Sequence, residues 1–204
     1  MPPVLRAARP TDAEAALFAE LTDAAARGMF AYLLGRDAPR ILAAIYKVPG
    51  HTLSFERVVV AESDGAVAGM ASDYSAEDYR AGGRIGVRLM TREAGWRALR
   101  LGIAYVPVRR PLGFTEQIDD GDQYLQMVAV LPAFRGRGVG TALIEAAAER
   151  ARSEGASRLV LDVEAENSGA LALYRRLGFE ITATSRRGSW PMRHIQIHRM
   201  GRTL

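Results

Sequence analysis

Cysteine is absent from this 204-residue chain. That excludes disulfides, thiolate metal sites and a cysteine nucleophile. Lysine occurs once, as Lys47, so arginine supplies nearly all of the 27 basic residues and the formal net charge is +4. The arginines are scattered rather than gathered into a stripe. They suit a solvated surface or a small polyanionic ligand, and no nucleic-acid partner is expected. His194 and His198 stand four apart in a strand-like segment, about 13 Å, too far to share an ion. No metal site is expected. No apolar run approaches the ~20 residues of a membrane span. The first residues carry Arg6, Arg9, Asp12 and Glu14 with no apolar core, so neither a signal peptide nor a membrane partner is expected. The reading is a soluble, cytoplasmic protein. At 49% hydrophobic residues the chain has ample material for a core, and 1–204 reads as one domain.

What is present is concentrated in residues 123–142. Tyr124 to Leu131 is apolar and β-branched, as a buried strand requires. Pro132 cannot donate to a ladder and should end it. Arg135-Gly136-Arg137-Gly138-Val139-Gly140 follows, then Thr141-Ala-Leu-Ile-Glu-Ala-Ala-Ala-Glu, a run of strong helix formers. The free N–H groups of that helix start should point into the glycine turn, forming a phosphate-binding nest backed by the helix dipole. The turn lacks the last glycine of the dinucleotide fingerprint, and no Gly-Lys-Ser/Thr follows for a triphosphate loop. It matches Arg/Gln-x-x-Gly-x-Gly/Ala as Arg135-x-x-Gly138-x-Gly140.

A second motif stands further on: Asn167-Ser-Gly-Ala170-Leu-Ala-Leu173-Tyr174-Arg-Arg-Leu177-Gly178-Phe179. Gly178 reads as a left-handed residue after a helix, with Phe179 packing back on the last turn. With both motifs in this order, separated by one helix and one strand, the chain resembles the GNAT superfamily of acetyl-CoA-dependent N-acetyltransferases.

The resemblance implies an α/β (α+β) fold of the acyl-CoA N-acyltransferase type. Its mixed central sheet has about seven strands, is flanked by helices, and is splayed between strands 4 and 5. It implies acetyl-CoA as co-substrate, held between residues 123–131 and 158–164. Backbone groups of Val128, Ala129 and Val130 would pair with the pantetheine arm like an added strand, and one N–H would polarise the thioester carbonyl. Arg135 belongs to the cofactor motif. Gly136, Arg137, Gly138, Val139, Gly140 and Thr141 would donate to the pyrophosphate, and Asn167 would bond the arm or brace the strand end. Tyr174 matches the general acid that protonates or stabilises the departing thiolate.

The acceptor implied is a primary amine on a small molecule or a protein, attacked directly in a ternary complex. A homodimer is common among such proteins. No base is singled out by the pattern: Glu77, Asp122, Glu164 and His194 remain candidates. Gln126 occupies a central-strand position where some relatives carry an acidic base, and an amide cannot do that work. The alternative reading is a catalytically silent acyl-CoA-binding sensor.

The flanks yield looser expectations. Val4 to Arg6 is a first strand. Thr11 and Glu14 form a capping box for a helix ending near Gly28. Asp37 can cap a helix burying Ile41, Leu42 and Ile45. Phe30, Tyr32 and Tyr46 either touch substrate or pack in the core. Residues 57–62 and 66–72 are strands joined by Ser63-Asp64-Gly65, with Gly69 at a bulge or a close backbone approach. Residues 75–121 form an insertion between strands 3 and 4. The spacing of Trp96, Leu99 and Ile103 predicts a helix near 88–104, and Glu116, Asp119, Asp120 and Asp122 cluster just before the central strand as a solvated turn. His194 to Met200 reads as the last strand.

Overall fold

The computed structural model describes residues 2–204. Seven strands form one sheet in the order β1-β2-β3-β4-β5-β7-β6. They are β1 (Val4–Ala7), β2 (Val58–Ser63), β3 (Ala66–Ser75), β4 (Asp122–Val130), β5 (Arg158–Glu164), β6 (Glu180–Thr184) and β7 (Ile197–Thr203). Every neighbouring pair is antiparallel except β4 and β5, which run parallel. This is the expected mixed sheet.

Helices cover both faces. On one face α6 (Val139–Ser153) sets Leu143, Ile144, Ala147 and Ala151 against Leu125, Leu159, Leu161 and Met200. On the other, α1 (Asp12–Ala25) and α3 (Ala38–Tyr46) bury Phe18, Leu42, Ile45 and Tyr46 against Val58, Val60, Met70 and Met127. Each such fully buried large side chain contributes about 1.5–3 kcal/mol relative to exposure. A third cluster joins α2 (Met29–Leu34) and α3 to Val108 and Ile195.

The hairpin expected at Asp64-Gly65 forms, with both residues at positive φ (54° and 77°) and Ser63 paired with Ala66. Both readings of Gly69 hold. The register shifts beside it between Ala61 and Glu62, and a Cβ there would stand 2.6 Å from the Ala129 carbonyl oxygen. The capping box is half formed: Thr11 Oγ1 accepts from the Glu14 N–H at 3.3 Å, while Glu14 accepts from the Arg9 N–H at 2.7 Å. Asp37 does not cap with its side chain; the Arg97 guanidinium holds it instead.

The segment between β3 and β4 departs from expectation. It is two helices, α4 (Ala76–Ala94) and α5 (Ala98–Thr115), not one helix near 88–104. Gly95, at φ 57°, breaks the chain between them. Trp96, Leu99 and Ile103 are 85%, 74% and 66% exposed; the face that packs inward carries Leu101, Ala104, Val108 and Leu112. Both sides of α5 are apolar, so helical spacing could not tell which side meets the core. α5 also contains Pro107 and Pro111. Pro111 has no N–H to give the Pro107 carbonyl four residues back. The Ser189 N–H takes that carbonyl at 2.8 Å instead, tying the 186–196 segment to α5. That segment is irregular at His194, and the last strand starts only at Ile197.

Candidate active site

Parallel pairing of β4 with β5 runs from Asp122 with Arg158 to Leu125 with Leu161 and stops. Beyond that level the edge of β4 that faces β5 has no strand partner. A cavity of about 950 Å³ opens in this wedge. Val128, Ala129, Val130, Arg135, Gly136, Gly138, Val139, Gly140, Thr141, Asn167 and Tyr174 all line it. Arg137 does not; its guanidinium pairs with Asp64 at 3.1 Å and lies over the Phe134 ring.

The helix start at the glycine turn is open to a ligand. Gly136 and Gly138 have φ of 74° and 81°, which a residue with a Cβ adopts only under strain. The first bond within α6 runs from the Ala142 N–H to the Gly138 carbonyl. No side chain caps the helix. The N–H groups before Ala142 therefore stay free, as phosphate oxygens require. Arg135 folds back, its Nε donating to the Val130 carbonyl at 3.2 Å, and so braces the end of β4 against the turn. The residues present fit the pyrophosphate and pantetheine of a CoA thioester: free N–H groups at a helix start, and an unpaired strand edge beside it.

Asn167 caps α7 (Ser168–Arg176): its Oδ1 accepts from the Ala170 N–H at 3.2 Å. The same residue lines the cavity. The end of α7 is closed by two reversed bonds, Phe179 N–H to the Tyr174 carbonyl and Gly178 N–H to the Arg175 carbonyl, both 3.0 Å. Gly178 is left-handed at φ 82°. The Phe179 ring then packs on Tyr174, centroids 5.8 Å apart. Burial pushes the Tyr174 phenol up to about 12. At neutral pH it is protonated, and complete transfer to a thiolate of conjugate pKa ~8.5 is uphill by about 5 kcal/mol. Its chemistry is that of a hydrogen-bond donor to developing negative charge.

The four base candidates separate in space. Glu77 and Asp122 line a different hollow, at the far end of β4 beside Gly155, and Arg158 holds both Asp122 oxygens at 2.8 Å. His194 is exposed in a turn and does not line the main cavity. Glu164 alone of the four lines it. Its Oε2 pairs with Arg27 Nε at 2.9 Å. Burial, set against the attraction of Arg27, raises its carboxyl above the ordinary glutamate value.

One residue of the wall, Asp162, and the arginine that holds it, Arg199, were not anticipated. Asp162 accepts from Arg199 Nε at 3.0 Å, from Arg199 Nη2 at 2.7 Å and from the Tyr124 hydroxyl at 3.1 Å. Arg199 also donates to the carbonyls of Phe114, Thr115 and Gln117, anchoring the end of α5 to β7. Burial raises the Asp162 carboxyl, opposed by the Arg199 hydrogen bonds. The available signal was a lone acid inside the apolar run Leu159-Val-Leu-Asp-Val. Of the aromatic residues left open, Phe30 lines the cavity, whereas Tyr46 is fully buried against Phe18. Arg186 and Arg187 are exposed and off the cavity wall. Among the described residues no group of three or more His, Cys, Asp or Glu side chains is placed to hold a metal ion, and no helix is long and apolar enough to cross a membrane.

A family profile described as "Acetyltransferase (GNAT) family" matches residues 35–179. An uncharacterised N-acetyltransferase of Methanocaldococcus jannaschii is 53% identical over 53 residues, 26% of this chain and 24% of that protein. The N-alpha-acetyltransferase 30 of Schizosaccharomyces pombe is 38% identical over 56 residues, 28% of this chain and 37% of that protein. The chain thus spans only about a quarter to a third of the length of these relatives. In three dimensions, an N-acetyltransferase from Staphylococcus aureus Mu50 superposes with a TM-score of 0.72 at 20% identity, covering 97% of this chain and 99% of the other. That likeness establishes the shared fold.

Proposed function

This chain belongs to the GNAT acetyltransferase family, and on that premise we propose that it moves the acetyl group of acetyl-CoA to a primary amine by direct attack in a ternary complex. The observation that carries the reading is the wedge itself. An unpaired β4 edge, an uncapped helix start and Tyr174 line one cavity with Glu164.

The family's co-substrate supplies a thioester. The free N–H groups ahead of Ala142 hold its pyrophosphate, and the β4 edge at Val128 to Val130 pairs with its pantetheine arm. An N–H on that edge faces the thioester oxygen and stabilises the negative charge that grows there. Glu164 takes the surplus proton of the ammonium, directly or through a water. Its raised carboxyl brings it closer to the amine's range than an exposed glutamate stands. The amine nitrogen bonds to the carbonyl carbon, the C–S bond breaks, and its electron pair goes to sulfur. Tyr174 donates a hydrogen bond to that sulfur.

The acceptor end is walled by Met29, Phe30, Leu112, Ile195 and Ile197. This apolar lining favours an amine attached to an apolar body, on a small molecule or at a peptide N-terminus. The rival, a silent acyl-CoA sensor, has no use for a carboxylate and a phenol in the same cavity. The test is calorimetric titration with acetyl-CoA beside thiol release over an amine panel. Binding with amine-dependent thiol release is the expected outcome. Binding without turnover on any amine favours the sensor, and absent binding removes the reading.

A further inference from the structure

Gln126 is the residue at which three irregularities coincide. Across the β3–β4 ladder Ser72 pairs with Met127 and Asp73 with Leu125, so Gln126 is an extra residue with no partner, a β-bulge. Leu125 packs with α6, whereas Met127 packs on the opposite face with α1 and α3. Residues two apart on a regular strand share a face, so the alternation reverses at Gln126. The pairing of β4 with β5 ends one residue earlier, at Leu125. The bulge therefore sits at the apex of the wedge, and Gln126 lines the cavity there.

Its side-chain carbonyl is the decisive feature. Gln126 Oε1 is buried and, among the described residues, accepts no hydrogen bond. A buried acceptor without a donor is costly and rare in folded proteins. The neighbouring acceptors on the same wall are already engaged: Asp162 by Arg199 and Tyr124, Glu164 by Arg27. Of these side chains Gln126 is the one whose buried acceptor has no partner at all, and a ligand is the source of donor that the cavity admits. The amide N–H groups of a pantetheine arm find backbone carbonyls along the open β4 edge. The acceptor amine brings N–H donors that have no strand partner.

Resting on the acetyltransferase reading above, we propose that Gln126 is a positioning and specificity residue that receives the acceptor amine. Its Oε1 accepts one N–H of the incoming primary amine and turns the nitrogen lone pair toward the thioester carbon. Gln126 takes no proton. The nitrogen–carbon bond forms, the carbon–sulfur bond breaks with its electron pair going to sulfur, and the amine's surplus proton leaves through Glu164. An amide suits this task because it orients the neutral nucleophile, where a carboxylate would also hold the ammonium form that cannot attack.

The test compares wild type, Gln126→Met and Gln126→Glu using acetyl-CoA and a series of amines: glycinamide, leucinamide, methioninamide and phenylalaninamide. Gln126→Met keeps the length and removes the carbonyl. We expect kcat/KM for the amine to fall at least tenfold, acetyl-CoA affinity to stay within twofold, and Tm to hold or rise because an unsatisfied polar atom has gone. Gln126→Glu, which restores an acceptor, should recover most of the lost kcat/KM. A purely structural role predicts a lower Tm and no recovery. Unchanged amine kcat/KM in Gln126→Met overturns the assignment. So does a loss confined to acetyl-CoA affinity, which would place the pantetheine arm on Gln126. If wild type binds no acetyl-CoA, the acetyltransferase reading fails first and takes the proposal with it; calorimetry on wild type alone distinguishes that case.

Discussion

The two walls of the cavity are built on different principles. The wall made by the tip of β4, the start of α6 and α7 works chiefly through backbone: uncapped N–H groups, two left-handed glycines and an open strand edge. The opposite wall works through side chains brought from remote parts of the chain, with Glu164 held by Arg27, and Asp162 held by Arg199 and Tyr124. A backbone wall suits a ligand part that never changes, the CoA moiety. A side-chain wall can be altered one residue at a time without disturbing the fold, as a variable acceptor demands.

Breaking the side-chain wall should give the larger kinetic losses. Glu164→Gln removes the proton acceptor, and kcat/KM is expected to fall about a hundredfold, the usual span for a lost general base, while acetyl-CoA affinity measured by calorimetry stays within twofold. Comparable rates in the two proteins would move the base elsewhere. On the other wall Tyr174 is the side chain that takes part: Tyr174→Phe deletes the proposed hydrogen bond to the leaving group, so kcat should drop about tenfold to a hundredfold with little change in cofactor affinity. An unchanged kcat in the folded variant would take Tyr174 out of the reaction.

The backbone wall gives the reciprocal pattern. Gly138→Ala puts a Cβ on a residue at φ 81°, a strain of about 1–2 kcal/mol. Acetyl-CoA affinity should weaken roughly tenfold on that scale, and the amine KM should not move. A fall in amine specificity instead would mean that the two walls are not independent. The smallest effect is a pH shift. A base at Glu164 would act only when deprotonated, so on the proposed mechanism kcat/KM should fall as pH drops through its raised carboxyl value. Arg27 holds that value down. Arg27→Ala therefore should move the acidic limb of the profile to higher pH while the plateau rate survives, and an unmoved limb would detach that titration from Glu164. No alkaline limb from Tyr174 is expected below about 12.

The same contrast explains how much could be read without coordinates. Backbone function leaves a sequence trace at fixed spacing, because glycine must stand where φ is positive: Gly136, Gly138 and Gly178 were each legible, and the mixed sheet followed from the pattern around them. The side-chain wall left no such trace. Glu164 and Arg27 are 137 positions apart in the chain, and nothing local pairs them. Asp162 reads as one more residue of an apolar strand until Arg199 is set beside it. The break at Gly95 was missed because apolar residues on both sides of α5 gave a helical period without a direction.

The bulge at Gln126 has a consequence for how this chain can change. It works as a frame shift written into the strand: residues before it are read in one in–out phase, residues after it in the other. Replacing Gln126 alters one side chain. Deleting it would make Leu125 and Met127 direct neighbours on opposite faces, where they already point, so both packed surfaces would survive while the bulge and its amide vanish from the apex of the wedge. The extra residue can therefore come and go without disturbing the core on either face, and it is the mouth of the wedge that registers its presence.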